Sequence, residues 1–303
     1  MKFLYLLEKI RVPGLNEFML FVTTLGEETA FLVVALIVFW CIDKLRGYYV
    51  LSVGFLGTIF NQFMKLLCRV PRPWVLNENF TILEQAREAA SGYSFPSGHT
   101  QSAVGVFGSL AYTEKNKPLR WLLILVAVLV GFSRMYIGVH TPADVIFAAV
   151  TSIIFLMVLR PVVMAGGKKF HVFLAVMMLV SFGYLAFAEL FPFPEDIDAH
   201  NLQSGLKNAY TLLGCIVGMI LVYIIDSKFL QFKVNAVWWA QIMKVVGGLA
   251  VVLAVKEGLR APLEWVFNGH LFARSVRYFL IVMVAGTVWP LTFRFFPSCK
   301  KKS

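Results

Sequence analysis

Cysteine, acidic residues and charge in general are scarce in this chain. Four cysteines in 303 residues are too few to staple a fold with disulfides. Charged residues make up 15% of the chain, where a soluble domain carries about 25%. His200 and His270 have no Cys or His neighbour at metal-ligand spacing, so no metal site is read at either. No segment repeats at a period of roughly 20–50 residues, which sets solenoids aside. What fills the sequence instead is hydrocarbon. Hydrophobic residues account for 59% of it and the mean hydropathy is +0.74. These values exclude a disordered chain, a collagen-like chain and an ordinary soluble enzyme, and they point to a polytopic membrane protein.

The net charge of +11 could speak for nucleic acid. No Arg-rich low-complexity tract supports that, and basic cytoplasmic loops explain the charge better. A helix needs about 20 mostly apolar residues to cross a bilayer. Nine candidate spans follow, near 22–42, 48–66, 98–113, 119–137, 142–163, 170–190, 208–226, 237–256 and 276–295. The fold class is thus all-α, a membrane helical bundle of about nine spans. Residues 1–21, with Pro13, Gly14 and Asn16, read as an interfacial amphipathic segment. No small-residue cleavage pattern follows the apolar start, so it is not read as a cleavable signal. One set of connecting segments holds fourteen basic residues, among them Lys44, Arg120, Lys168 and Lys233, against three acidic ones. The positive-inside rule places that set in the cytoplasm, with the N-terminus outside and the C-terminus inside.

The concentrated polar signals lie on the opposite face. They are Lys65 with Arg72-Pro73, then Pro96-Ser97-Gly98-His99, then Ser133-Arg134 with His140 and Asp144. Each sits at a span end, so folding the bundle would gather them at one depth. Lys65, Arg72 and Arg134 supply three cations, and the planar fork of Arg suits phosphate oxygens. Gly98 opens a helix whose free N–H groups favour an anion, and Ser97 adds a hydroxyl. Thr141-Pro142-Ala143-Asp144 has the form of a capping box. Asp144 either only caps that helix or also reaches back to His140, holding one ring N–H and leaving the other nitrogen as a nucleophile. His99 would then be the acid that protonates a leaving oxygen and later the base that activates water. An idle charge cluster beside hydrocarbon is too costly to be the simpler reading.

These residues resemble the signature of the type-2 phosphatidic acid phosphatase superfamily. Its three parts are Lys, six residues, Arg-Pro; then Pro-Ser-Gly-His; then Ser-Arg, five residues, His, three residues, Asp. All three are present in order over about residues 22–163. The resemblance implies a metal-independent reaction without cofactor, through a phosphohistidine. By match, His140 takes the phosphoryl group, Asp144 is its partner and His99 the acid. Lys65, Arg72, Ser97, Gly98 and Arg134 would bind phosphate. The span layout is similar to that of the glucose-6-phosphatase and sphingosine-1-phosphate phosphatase members. The implied organisation is a catalytic core at 22–165 and an accessory transmembrane region at 166–303. The expected activity is hydrolysis of a lipid phosphomonoester or pyrophosphate on the extracytoplasmic or luminal face, with the plasma membrane of a bacterium as the expected site. A sugar-phosphate phosphatase and a phosphate-recognising lipid transporter are the competing readings, the second favoured by intramembrane Glu189 and Lys244. The partners read are the lipid substrate and the bilayer, with no nucleic acid, and oligomeric state is not legible. In the 27-residue stretch from Arg69 to Phe95, Trp74 and Phe80 are expected to shape the substrate entrance, and Glu84 to Ala90 to form a short amphipathic helix.

Overall fold

The protein is described by a computed structural model covering residues 1–77, 79–87 and 90–298. Residues 78, 88, 89 and 299–303 lie outside the described residues. All regular structure among the described residues is helical. The order is α1 (Lys2–Lys9), α2 (Pro13–Thr24), α3 (Glu28–Ile37), α4 (Lys44–Cys68), α5 (Pro73–Leu76), α6 (Gly98–Ala103) and α7 (Ser109–Thr113). Then come α8 (Lys117–Tyr136), α9 (Pro142–Val163), α10 (Gly167–Leu190), α11 (Ala199–Ile225), α12 (Trp238–Gly258), α13 (Arg260–Val266), α14 (Phe272–Met283) and α15 (Trp289–Leu291). Among the described residues seven helices, some counted with their continuations, are long and apolar enough to cross a membrane.

Two expected spans differ in form. The first is broken: α2 and the helix Glu28–Ile42 meet at a 56° bend. The second, 98–113, is helical throughout, with a π turn at Val104–Gly108 joining α6 to α7, but it is short. Its ends explain this. Ser97 caps the start, its hydroxyl accepting from Thr100, and Glu114 is extended at the other end.

The chain divides into two compact units. The first comprises Met1–Leu32, Tyr49–Val162 and Phe191–Gly205. Within it α2 and α6 both pack on α8. Val22, Ala103 and Val130 form the shared apolar contact. The amphipathic α1 turns Leu4 onto Phe80 and Ile82. Phe80 is 3% exposed and meets the Tyr5 ring edge-on at 5.5 Å. Phe80 is therefore core, not an entrance residue, because the N-terminal helix covers it. Arg11 ties this corner down, its guanidinium donating to the Tyr136 carbonyl at 2.9 Å and the Thr81 carbonyl at 2.8 Å. Trp74 is half-buried in the same packing, with Arg72 and Arg87 over its ring at 5.8 and 5.4 Å. Of the expected 84–90 helix, Glu84–Ala86 form a 3-10 turn, and residues 88 and 89 lie outside the described residues. Phe80→Ala should lower the unfolding free energy by about 3–5 kcal/mol, read as a clear fall in Tm in detergent. An unchanged Tm would show that α1 is not docked there.

The second unit comprises Val33–Tyr48, Val163–Leu190 and Leu206–Ser303. Its polar groups are paired locally. Lys44 makes a two-pronged contact with Asp226 at 2.8 and 2.9 Å. Lys244 is 1% exposed, and its ammonium donates to the Val234 carbonyl at 2.9 Å and lies 4.6 Å from the Phe293 ring centre. Glu189 accepts from the Tyr210 hydroxyl at 2.8 Å. Lys244 and Glu189 thus tie together segments of their own unit, and buried Lys244 is partnered as a charge in hydrocarbon must be.

Candidate active site

Four stretches of the first unit meet at the expected residues. The end of α4 delivers Lys65, four residues after buried Asn61 and so on the same helix face. Arg69, with φ +49°, turns the chain out of α4 in a left-handed conformation. That turn brings Arg72 back over the cluster. The Arg72 guanidinium is built in by four contacts. Nε donates to the Gly92 carbonyl at 3.0 Å, Nη2 to the Ser91 carbonyl at 2.8 Å, and Nη1 to the Val139 carbonyl at 3.0 Å and to His140 Nε2 at 2.9 Å. Lys65 Nζ donates to the Tyr93 carbonyl. The 91–94 segment is therefore a backbone cradle that orients two of the three cations.

The third cation is Arg134, 1% exposed in the last turn of α8. Its Nη1 donates to the Thr23 hydroxyl at 2.6 Å, while its Nε is buried without a hydrogen-bond partner. Lys65, Arg72 and Arg134 all act electrostatically on both His99 and His140. Three buried cations so close together repel one another unless an anion joins them.

Asp144 caps α9 and faces His140 without hydrogen-bonding to it. As the third residue of α9 it completes a reciprocal capping box: its Oδ2 accepts from the Thr141 N–H at 2.8 Å, and its own N–H donates to the Thr141 hydroxyl at 3.3 Å. The same Oδ2 accepts from the Ser94 hydroxyl at 2.6 Å and faces His140 Nδ1 at 3.5 Å. That last separation is a charge–dipole contact and too long for a hydrogen bond, in keeping with Nδ1 having no hydrogen-bond partner. The tautomer follows from chemistry. Arg72 can only donate, so His140 Nε2 carries the lone pair, and the proton sits on Nδ1, facing the carboxylate.

His140 lies between α8 and α9 and is 1% exposed. Burial, then Arg72, Arg134 and Lys65, with His99 contributing last, holds its imidazole well below the ordinary value of 6.5. It is therefore a neutral base at physiological pH. His99 is half-buried in the first turn of α6, and its Nε2 is buried without a partner. Ser97 is fully buried and caps α6, with Thr100 Oγ1 donating to its hydroxyl at 2.9 Å. A Cβ built on Gly98 would approach only the Asn61 amide oxygen, at 3.8 Å, so the helix start is open to an anion. Ser133 donates to the Val130 carbonyl at 2.7 Å and serves α8 itself. Among the described residues no three His, Cys, Asp or Glu side chains gather in a way that could hold a metal ion.

The profile of the PAP2 superfamily matches residues 46–167, and a second, described as a PAP2 superfamily phosphatase transmembrane extension, matches residues 210–301. The chain belongs to the PAP2 superfamily. Within that superfamily it is 36% identical to undecaprenyl-diphosphatase BcrC of Bacillus subtilis over 101 residues, 33% of this chain and 49% of that protein. It is 33% identical to phosphatidylglycerophosphatase B of the same organism over 150 residues, 45% of this chain and 70% of that one. It is also 29% identical to mouse sphingosine-1-phosphate phosphatase 1 over 164 residues, 52% of this chain and 37% of that protein. The match thus spans about half of BcrC. No solved structure matches the chain.

All eight PAP2 motif residues named from sequence lie in one unit. Reading the motifs alone overlooked Asn61, Ser94 and Thr23. Asn61 was legible as a polar residue one helical turn before Lys65. Ser94 and Thr23 carry no local signal, because their partners Asp144 and Arg134 are 50 and 111 residues away.

Proposed function

We propose that this PAP2 protein is an integral-membrane phosphatase that hydrolyses a lipid phosphate ester or diphosphate through a phosphohistidine at His140. The observation that carries the reading is the contact of Arg72 Nη1 with His140 Nε2. It leaves the ring's lone pair in the midst of the cations that would hold the phosphate. In the first step the substrate's phosphoryl oxygens draw Arg72 off Nε2 and take up its fork, with Arg134, Lys65 and the start of α6 as further donors. Nε2 then attacks phosphorus in line, the bond to the leaving oxygen breaks, and His99, protonated once the negative charge of the bound phosphate offsets the surrounding cations, gives that oxygen its proton. Asp144 balances the charge gained by the ring. In the second step water attacks, His99 takes its proton, the P–N bond breaks and phosphate leaves.

A lipid is favoured because the site lies at the ends of apolar helices and because the three relatives named above are described as acting on lipid phosphates. Paired Lys244 and Glu189 leave the transporter reading without support. Phosphate release by purified protein should be measured on undecaprenyl diphosphate, phosphatidylglycerophosphate, phosphatidic acid, sphingosine-1-phosphate and glucose 6-phosphate. Turnover of one or more lipids, with the sugar phosphate inert, is expected. Preference for the sugar phosphate would overturn the substrate class.

We further propose that the core at 22–165 carries the chemistry, that 166–303 is accessory, and that the site faces the outside of a bacterial plasma membrane. Cys68, a free exposed thiol at the end of α4, tests the face. With Cys299 replaced by Ser, a membrane-impermeant maleimide should label Cys68 in intact cells. Labelling only after permeabilisation would reverse the orientation.

The acidity of His140 sets a pH dependence. Protonation removes the lone pair, so kcat/KM falls as pH falls through the ring's pKa in the free enzyme. Because that pKa is depressed, the acid limb should lie below pH 6.5. An acid limb at or above that value would contradict a buried, cation-flanked His140.

A further inference from the structure

The bend between α2 and α3 lies outside every motif, yet it touches the site at two points. Thr23, 6% exposed, accepts the 2.6 Å hydrogen bond from Arg134 Nη1. Three residues on, Gly26 is pressed against His99. A Cβ there would lie 2.9 Å from the His99 carbonyl oxygen, 3.0 Å from its Cβ and 2.7 Å from Val130 Cγ1. Two of those atoms belong to the backbone and Cβ of a helix start and cannot swing away. Glu27, the next residue, is the acid that acts electrostatically on Arg134. The turn is tight, with Gly26 N–H donating to the Thr23 carbonyl at 3.0 Å and Glu27 N–H to the Thr24 carbonyl at 3.1 Å. The end of α2 is pinned by Val22 against Ala103 of α6 and Val130 of α8. One rigid turn therefore contacts the elements that carry His99 and Arg134.

We propose that Thr23 and Gly26 are positioning residues of the active site. Thr23 sets the direction of the Arg134 fork, and Gly26 sets how closely the His99 helix start approaches it. A guanidinium has five N–H donors and a long flexible stem. Buried Arg134 has its Nε unpartnered, so the Thr23 hydroxyl is the side-chain contact that fixes which edge it offers to phosphate. The 56° bend follows directly after α2, so Gly26 sits in the break itself, against the start of α6.

The inference rests on the phosphatase reading, and its test is arranged so that the two fail separately. Inorganic phosphate, as product inhibitor, probes the anion site without chemistry. Thr23→Val keeps the side-chain shape and removes the acceptor. It should weaken phosphate inhibition and raise KM by about tenfold, the scale of a hydrogen bond to a charged group, with a smaller change in kcat. Thr23→Ser should restore both. Gly26→Ala, which displaces His99, should show the opposite split, with kcat down about tenfold or more and phosphate inhibition nearly kept. Thr23→Ala compared with Thr23→Ser repeats the first test should the valine variant not purify. If Thr23→Val and Thr23→Ser both match the wild type while His140→Ala is dead, the positioning role is wrong and the phosphatase reading stands. A common fall in Tm and kcat with no change in KM or phosphate inhibition would reduce the bend to a structural element. If His140→Ala keeps its turnover, the phosphatase reading itself falls.

Discussion

Replacing His140 by alanine is expected to remove phosphate release altogether, with kcat down by about 10⁴-fold or more. The magnitude follows from what is lost. The cations and the α6 start would still bind phosphate, but no nucleophile would remain beneath it. Water would have to attack without the imidazole, in a pocket arranged for a nitrogen. Substrate affinity, by contrast, should hold or improve, because Arg72 loses its contact with His140 Nε2 and is freed for the ligand. The pair of readouts separates a chemical role from a structural one. A variant that releases phosphate near the wild-type rate, or one that loses binding in parallel with turnover, would contradict the assignment.

The second large effect is at His99. His99→Ala should cut hydrolysis of a lipid phosphate by about 10²–10⁴-fold, the range for loss of a positioned acid. The deficit in kcat/KM, which reports phosphorylation of the enzyme, should shrink with an activated aryl phosphate, whose leaving oxygen needs no proton. The buried Nε2 of His99, without a partner, is the atom this prediction concerns. Under the proposed scheme, dephosphorylation should then limit turnover of the aryl substrate, since His99 also serves as the base toward water, and the phosphoenzyme should accumulate in the variant. An equal loss on both substrates, with no accumulation, would assign His99 to folding or binding instead.

Much of this arrangement was legible before any coordinates. The apolar runs defined spans, because a helix in hydrocarbon must be long and nearly uncharged. The capping box from Thr141 to Asp144 was readable because its partners are three residues apart. Lys65, Arg72, Ser97, Gly98, His99, Arg134 and His140 stood out because charge and glycine at span ends are costly and therefore informative. What escaped was long-range or hidden in hydropathy. The run 22–42 averages as one apolar span although Gly26, Glu27 and Glu28 interrupt it, and its break became visible only as a bend. Phe80 looked like an entrance residue because no local pattern reveals that Leu4 will cover it. Lys244 looked like a functional charge because its partners are backbone carbonyls, which no side-chain pattern advertises.

The most direct measurement is to trap the phosphoenzyme. Phosphohistidine survives alkali and is destroyed by acid, whereas phosphoserine and acyl phosphates behave differently. Enzyme mixed with substrate labelled in the transferred phosphoryl group, and quenched in alkali within a turnover, should carry label on the peptide containing His140. That label should vanish on acid treatment and be absent from His140→Ala. Label on His99 or on another side chain, or full turnover with no covalent label in either quench, would contradict the account.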